Sequence, residues 1–271
     1  PPRFALGQVL RLLGQSTDPI EIIEQSTEQS LRLAKPLTDE TSLDQAIEIV
    51  FDMEPPILAA RLATGTVASE PLPPLNMHLA TTRGTNALLE EKGAEVTLFI
   101  TTGFEDLLLI GDQKRPDLFA LNVQKPAPLT ANVIGVDERL DALGQALQPL
   151  SLPTIAPPSC HNQSAAIVCL HSHRNPEHEQ RLASHLRESG WQHVSVSSDL
   201  APVIKILPRA ETTVVDAYLS PIMSRYLDGV ERELPNGKLR VMTSAGGLVP
   251  HADYRAKDSL LSGPAGGVVG A

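Results

Sequence analysis

Three consecutive stretches decide the fold class: "SAAIVCLHS" (residues 164–172), "NPEHEQRLASHLRESG" (175–190) and "HVSVSSDLA" (193–201). The first is a near-continuous apolar run, the pattern of a strand buried on both faces. The second has helical character and stops at Gly190. The third is a short strand. Strand, helix, strand in this rhythm implies a parallel α/β unit.

Upstream, "EVTLFITT" (95–102) alternates and is β-branched, which predicts a strand, and "GFEDLLLIG" (103–111) predicts a turn of helix. "DQKRPDLFALNVQKPAPL" (112–129) is irregular, and "NVIGVDERLDALGQAL" (132–147) predicts a strand and then a hairpin about Gly144. "QPLSLPTIAPPSCHNQ" (148–163) is the richest proline stretch and the best linker candidate. Earlier still, "NMHLATT" (76–82) is a short apolar run, and "TNALLEEKG" (85–93) predicts a helix with Gly93 as its C′ residue. The first segment predicts two helices. One spans residues 18–35, with Asp18 as N-cap, Pro19 at N1 and Ile23, Thr27 and Leu31 on one side. The other spans 41–53, with Leu43, Ala46, Ile47 and Val50 at helical spacing.

Downstream, "ETTVVDAYLSPIMSRYLDGVERELP" (211–235) predicts a long helix with a Leu219, Met223, Leu227, Val230 stripe, interrupted by Pro221. "KLRVMTSAGG" (238–247) is a strand running into a Gly-Gly loop, and the chain closes on "LLSGPAGGVVGA" (260–271).

Composition narrows the function classes. The 271 residues are 42% hydrophobic and 20% charged, enough for a folded core. A net charge of −10 disfavours nucleic acid and anionic membrane surfaces, which need a basic face. Two cysteines, Cys160 and Cys169, make neither a disulfide framework nor a four-ligand zinc site. No apolar stretch reaches the length of a membrane span, and the start has neither signal-peptide character nor an initiator Met, so a cytoplasmic protein is the default expectation.

Three constellations carry candidate chemistry. In "TTRGTNALLEEKG" (81–93), Thr81, Thr82, Thr85 and Asn86 place hydroxyls and a carboxamide where a strand hands over to a helix, and Gly84 lets backbone approach a ligand. A helix start offers free N–H groups and positive potential to an anion or a polarised carbonyl. A plain cap and turn would use the same residues. The second is "TSAGG" (243–247) with "SGPAGG" (262–267), two glycine-rich turns that fit close approach to phosphate, though neither has Walker or dinucleotide spacing. The third is His171, His173, His178 and Glu179 in "HSHRNPEHE", where metal binding competes with a helix start held by polar hydrogen bonds.

In their order, "TTRGTNALLEEKGAEVTLFITTGFEDLLLIGDQKRPDLFAL", "LHSHRNPEHEQRL", "VSVSSDLAPVIKILPRAETTVVDAYLSPIMSRYLDGV", "MTSAGGL" and "LSGPAGGVVGA" resemble the hydantoinase A/5-oxoprolinase family, in particular its ATP-dependent 5-oxoprolinase branch. The resemblance runs from about Thr81 to Ala271. It implies an actin-like, RNase H-type ATPase fold, present here as incomplete lobes behind a helical N-terminal segment. It implies an N-terminal region over residues 1–206 and the start of the core domain over 207–271. It also implies Mg-ATP phosphorylation of a lactam's amide oxygen, after which water opens the ring; for 5-oxoproline the product is glutamate. On that resemblance Thr82, Gly84, Thr85 and Asn86 contact substrate or γ-phosphate, with Arg115 as a further anion contact. Gly246, Gly247, Ser262, Gly263, Gly266 and Gly267 line the nucleotide cleft, and no resident metal ligands or general base are assigned.

The family's two main phosphate loops, an Asp-x-Gly-Gly-Thr-Phe-Thr-Asp segment and a later Gly-Gly-Thr segment, are not in this sequence. The expectation is therefore a truncated portion, inactive alone. It would work with the remainder of its parent or with a hydantoinase B-type subunit, and self-association is compatible with this. The competing readings are a hydantoinase A or acetone-carboxylase-type subunit, and a non-catalytic binding module.

Overall fold

A computed structural model describes residues 9–12, 20–27, 30–33 and 47–50 as backbone, and residues 53–67, 70–112, 119, 125–155, 158 and 162–270 with their side chains. In chain order the strands and helices are β1 (Val9–Leu12), β2 (Ile20–Thr27), β3 (Ser30–Leu33), β4 (Ile47–Val50), α1 (Pro55–Thr64), β5 (Asn76–Leu79), α2 (Arg83–Leu89), β6 (Glu95–Thr101) and α3 (Leu107–Ile110). There follow β7 (Thr130–Val136), β8 (Arg139–Leu140), β9 (Ala146–Gln148), β10 (Gln163–Val168), α4 (Glu177–Glu188), β11 (Val194–Val196) and α5 (Ser197–Leu200). The last are α6 (Ile206–Arg232), β12 (Lys238–Met242), β13 (Leu248–Pro250) and α7 (Ser262–Gly270), with short 3-10 turns at His251–Asp253 and Ala256–Ser259. The architecture is mixed α/β. No described helix is long and apolar enough to cross a membrane.

The chain divides into two compact units, Pro1–Met77 with Tyr226–Leu239, and His78–Arg225 with Arg240–Ala271. In the first, β3-β2-β1-β4 form an antiparallel sheet, with β1 and β4 registered Val9↔Val50 through Leu12↔Ile47. This overturns the two helices expected here. Ile20, Ile22 and Ile23, and likewise Ile47, Ile49 and Val50, satisfy both a helical and a strand spacing. Their β-branching, which restricts χ1 in a helix and suits a pleated surface, decides for the strand. Asp18, Pro19, Leu43 and Ala46 lie outside the described residues. α1, in this unit, is begun by Pro at N1/N2 and ended by left-handed Gly65 (φ 70°). It buries Arg61, which donates to the Val67 and Glu70 carbonyls at 2.8 and 2.7 Å and pairs with Glu233 at 3.2 Å.

The second unit holds the parallel sheet anticipated from residues 164–201, in the order β11-β10-β6-β7. β6 does not alternate as expected. Residues 96–101 are all buried, because α/β packing covers both faces of a central parallel strand. Phe99, Ala165 and Ile167 pack with Leu182 and Leu186 of α4, and Phe99 meets Trp191 edge-on at 6.0 Å. The expected β8–β9 hairpin is present, with Gly144 at φ 84°. The proline-rich stretch has the same compact unit on both sides, so it is a crossover within that unit.

Two helix ends differ from expectation. α2 stops at Leu89 and Glu91 takes the left-handed conformation (φ 55°), so Gly93 is not a C′ cap. A Cβ on Gly93 would fall 2.0 Å from the Tyr218 ring, and it is this close approach that requires glycine. α6 continues through Pro221, with Leu219, Met223, Leu227 and Val230 buried as the stripe predicted.

Candidate functional site

Three segments of the second unit meet: the start of α2, the β12–β13 turn, and the start of α7. "SGPAGG" is not a loop, as expected from its glycines; residues 262–267 are the first turns of α7. Ser262 is fully buried and its hydroxyl lies 2.7 Å from the Thr81 carbonyl and 3.0 Å from that of Ser259. Thr85 Oγ1 donates to the Leu260 carbonyl at 2.5 Å. A Cβ on Gly263 would lie 2.5 Å from Thr82 Cγ2, one on Gly266 2.3 Å from Ala80 Cβ, and one on Gly84 1.9 Å from Ser259 Oγ. Gly263 and Gly266, three residues apart on one helix face, thus form a contact surface that seats α7 against residues 80–82.

The β12–β13 turn joins the same assembly. Gly246 has φ 82°, and a Cβ there would sit 3.7 Å from Val269 Cγ2 of α7. Ser244 Oγ donates to the Asp258 carbonyl at 2.7 Å and accepts the Leu261 N–H at 3.0 Å. Gly247 and Gly267 are exposed, and a Cβ on Gly267 would meet nothing within 4 Å.

The hydroxyls at this junction divide by role. Thr81 Oγ1 accepts the Arg83 N–H at 3.1 Å, and Thr85 is spent on Leu260. Thr82 is the N-cap residue, yet its side chain makes no capping bond and is exposed, as is Asn86 one turn on. Among the described residues Thr82 and Asn86 therefore keep free polar groups where the helix begins. Arg115 lies outside the described residues. Ser244, Ser259 and Tyr254 complete the junction; Ser259 and Tyr254 sit in no motif that sequence reading would select. Burial pushes the Tyr254 phenol up to about 12. The neighbouring Ser262 and Ser259 hydroxyls donate to backbone carbonyls and leave the phenol oxygen unpartnered among the described residues.

The histidine constellation is used differently. His178 Nδ1 lies 2.7 Å from Glu138 Oε2, both side chains buried. Glu179 accepts the Cys169 and Ser198 N–H groups at 2.8 Å each and the Ser197 hydroxyl at 2.5 Å. Arg209 is buried beside it, with Nη1 3.6 Å from Glu179 Oε1 and Nη2 donating to the Cys169 carbonyl at 3.0 Å. Burial lowers the Arg209 pKa, and the Glu179 charge opposes that shift. The Cys169 thiol is pushed well up by burial, then by Glu179 and Glu138. Among the described residues no three or more His, Cys, Asp or Glu side chains form a group that could hold a metal ion.

Residues 14–190 match the hydantoinase/oxoprolinase N-terminal region and residues 209–271 match hydantoinase/oxoprolinase. The chain belongs to the hydantoinase/oxoprolinase family. It is 39% identical over 222 residues to 5-oxoprolinase 1 of Arabidopsis thaliana and 35% identical over 230 residues to 5-oxoprolinase of Saccharomyces cerevisiae. Each match covers 72% of this chain and 18% of the relative, so the chain spans under a fifth of the length of these relatives. The crystal structure of ATP-dependent caprolactamase from Pseudomonas jessenii superposes with a TM-score of 0.58 at 25% identity, covering 94% of this chain and 38% of that one.

Proposed function

We propose that the polypeptide carrying this chain is an ATP-dependent cyclic-amide hydrolase of 5-oxoprolinase type, built on an actin-like, RNase H-like ATPase fold. It converts 5-oxoproline, ATP and water to glutamate, ADP and phosphate. The observation that carries this reading is the junction itself: Thr82 and Asn86, with uncommitted polar groups, stand at a helix start against which Ser262 and Gly263 are seated. Hydroxyls, amides and a helix start suit phosphoryl oxygens.

Amide resonance makes direct ring hydrolysis slow. Transfer of the γ-phosphoryl group to the amide oxygen removes that resonance; water then adds to the ring carbon, the tetrahedral adduct breaks its C–N bond to free the protonated amine and leave an open-chain acyl phosphate, and a second water cleaves that to carboxylate and phosphate. The junction offers no carboxylate cluster of its own, so its described residues do not fit a resident Mg ion, and no step here runs through one. The same junction suits a larger lactam, a second reading favoured by the 94% coverage of this chain by the caprolactamase match.

The test is coupled turnover by the full-length parent. Phosphate release should depend on 5-oxoproline, with about one phosphate per ring opened, and exceed that with caprolactam or hydantoin. Thr82→Ala should lower kcat by about 10²-fold, the scale for removing one positioned donor. The 271-residue chain alone, without the two phosphate loops, should show no turnover. Ring opening without ATP, or phosphate release indifferent to any lactam, overturns the reading.

A further inference from the structure

The crossover from β6 to β7 leaves a cavity of about 180 Å³ beside α6, lined wholly from the second unit. α3 contributes Leu108, the lead-in to β7 contributes Pro126, Pro128 and Leu129, and α6 contributes Glu211 and Val214. The junction residues Thr82, Asn86 and Ser262 are not in this lining.

The sequence explains why space is left here. Each proline fixes its own φ and keeps the residue before it extended, so residues 125–128 stay straight and β7 begins only at Thr130. On α6, Glu211, Val214 and Val215 stand three and four residues apart and share one helix face. Val214 is buried and Glu211 exposed, which puts the apolar surface at the floor and the carboxylate at the mouth.

Size and chemistry then select the ligand. An apolar cavity of about 150 Å³ holds one benzene ring, so this one takes about six to eight non-hydrogen atoms. Its walls are hydrocarbon, and Glu211 is the charged residue among the described lining. Among the described residues the Glu211 carboxylate has no hydrogen-bond or ion-pair partner. Donors beside the lining are spent elsewhere. Thr212 Oγ1 donates to the Pro208 carbonyl at 2.8 Å, and Lys125 Nζ to the Ile110 carbonyl at 2.6 Å. Pro126 and Pro128 have no N–H to offer. The cavity therefore supplies a negative acceptor and few donors. An ammonium group is the complement, with three donors and no acceptor.

We propose that this cavity binds a small apolar ammonium ion, its hydrocarbon against Leu108, Leu129 and Val214 and its cationic group at Glu211. The site goes beyond the lactam reaction and asks nothing of the phosphate junction.

The probes are cyclohexylamine, cyclohexanol and cyclohexanecarboxylate, one ring carrying a cation, a neutral group or an anion. Binding to the 271-residue chain at about pH 7 is followed by ligand-observed NMR. The amine should bind about threefold more tightly than the alcohol, the scale of a solvent-exposed ion pair, and the carboxylate most weakly. Glu211→Gln should bring the amine to the level of the alcohol. Ala127 is exposed in the lining, and Ala127→Phe should fill the cavity and displace all three probes. Thr82→Ala should change none of them. Thermal melts confirm folding of each variant, and the Glu211→Gln comparison carries the test should Ala127→Phe not fold. No binding by the wild-type chain, equal affinity for amine and alcohol, an amine preference kept in Glu211→Gln, or binding indifferent to a folded Ala127→Phe overturns the proposal. These measurements involve neither ATP nor a lactam, so a parent without lactam-dependent turnover would sink the reaction and keep the site.

Discussion

The carboxyl edge of the parallel sheet and the junction around α7 are held in opposite ways. At the sheet edge, loops are tied by desolvated charge: Arg209 and Glu179, both fully buried, gather Ser197, Ser198 and both backbone groups of Cys169. At the junction the described contacts are steric and neutral. Gly84, Gly263 and Gly266 admit neighbours that a single methyl would displace, and neutral hydroxyls bridge to carbonyls. A buried pair is unforgiving of losing one member, since the other charge is then stranded. A steric seat is unforgiving of gaining an atom. Each region should therefore break under a different kind of substitution.

The largest effect belongs to the charged edge. Arg209→Met leaves the Glu179 carboxylate buried without its cation and should cost about 3–5 kcal/mol in urea unfolding. Adding Glu179→Gln to Arg209→Met should recover a good part, because the stranded charge is gone. A loss under about 1 kcal/mol for Arg209→Met would mean the pair is already hydrated, and the contrast between the two regions would vanish.

The steric seat comes next. Alanine is the better helix former, so Gly84→Ala in an open helix would stabilise by about 1 kcal/mol. Here the new methyl meets Ser259, whose Oγ and Cβ lie 1.9 and 2.7 Å from the ideal Cβ position and whose hydroxyl is committed to the Ala256 carbonyl. Overpacking of about 1–3 kcal/mol should outweigh the propensity gain. Combining Gly84→Ala with Ser259→Gly removes the obstacle and should restore stability to within about 0.5 kcal/mol of wild type. A single Gly84→Ala that raises the melting temperature would show the contact to be loose.

The same contrast explains what the sequence made legible. The parallel unit was readable because burial on both faces leaves a continuous run such as residues 164–170, and because Gly190 ends α4 in the left-handed conformation at φ 97°. The meeting of Thr82 with Ser262 and Gly263 came from the family resemblance, since no local pattern links residues 180 positions apart. The first segment misled because the isoleucines of β2 and β4 fit two periods at once. The glycines of residues 262–267 suggested a turn, yet they lie in α7, because a helix pressed against residues 80–82 has no room for side chains there. Arg209 was invisible for a related reason. An arginine on a helix is usually solvated, and only the fold reveals that Glu179 lies across from it.

The smallest effect is silent at neutral pH and separates the regions by titration. Tyr254 is the titratable group that the junction buries without a partner, and its folded pKa is raised from 10.0 to about 12. The folded state therefore holds the phenol proton more tightly than the unfolded chain does. That contribution is fully present below pH 10.0, and it is lost as pH rises through the folded value of about 12. Stability should decline over that window in the wild type. Tyr254→Phe, which keeps the ring and removes the proton, should flatten the decline while matching wild type at pH 7. Arg209→Met should leave the slope in place, because it does not touch the phenol. An identical alkaline decline in Tyr254→Phe would place the phenol in water, and with it open the seat that Ser259 and Ser262 form beneath α7.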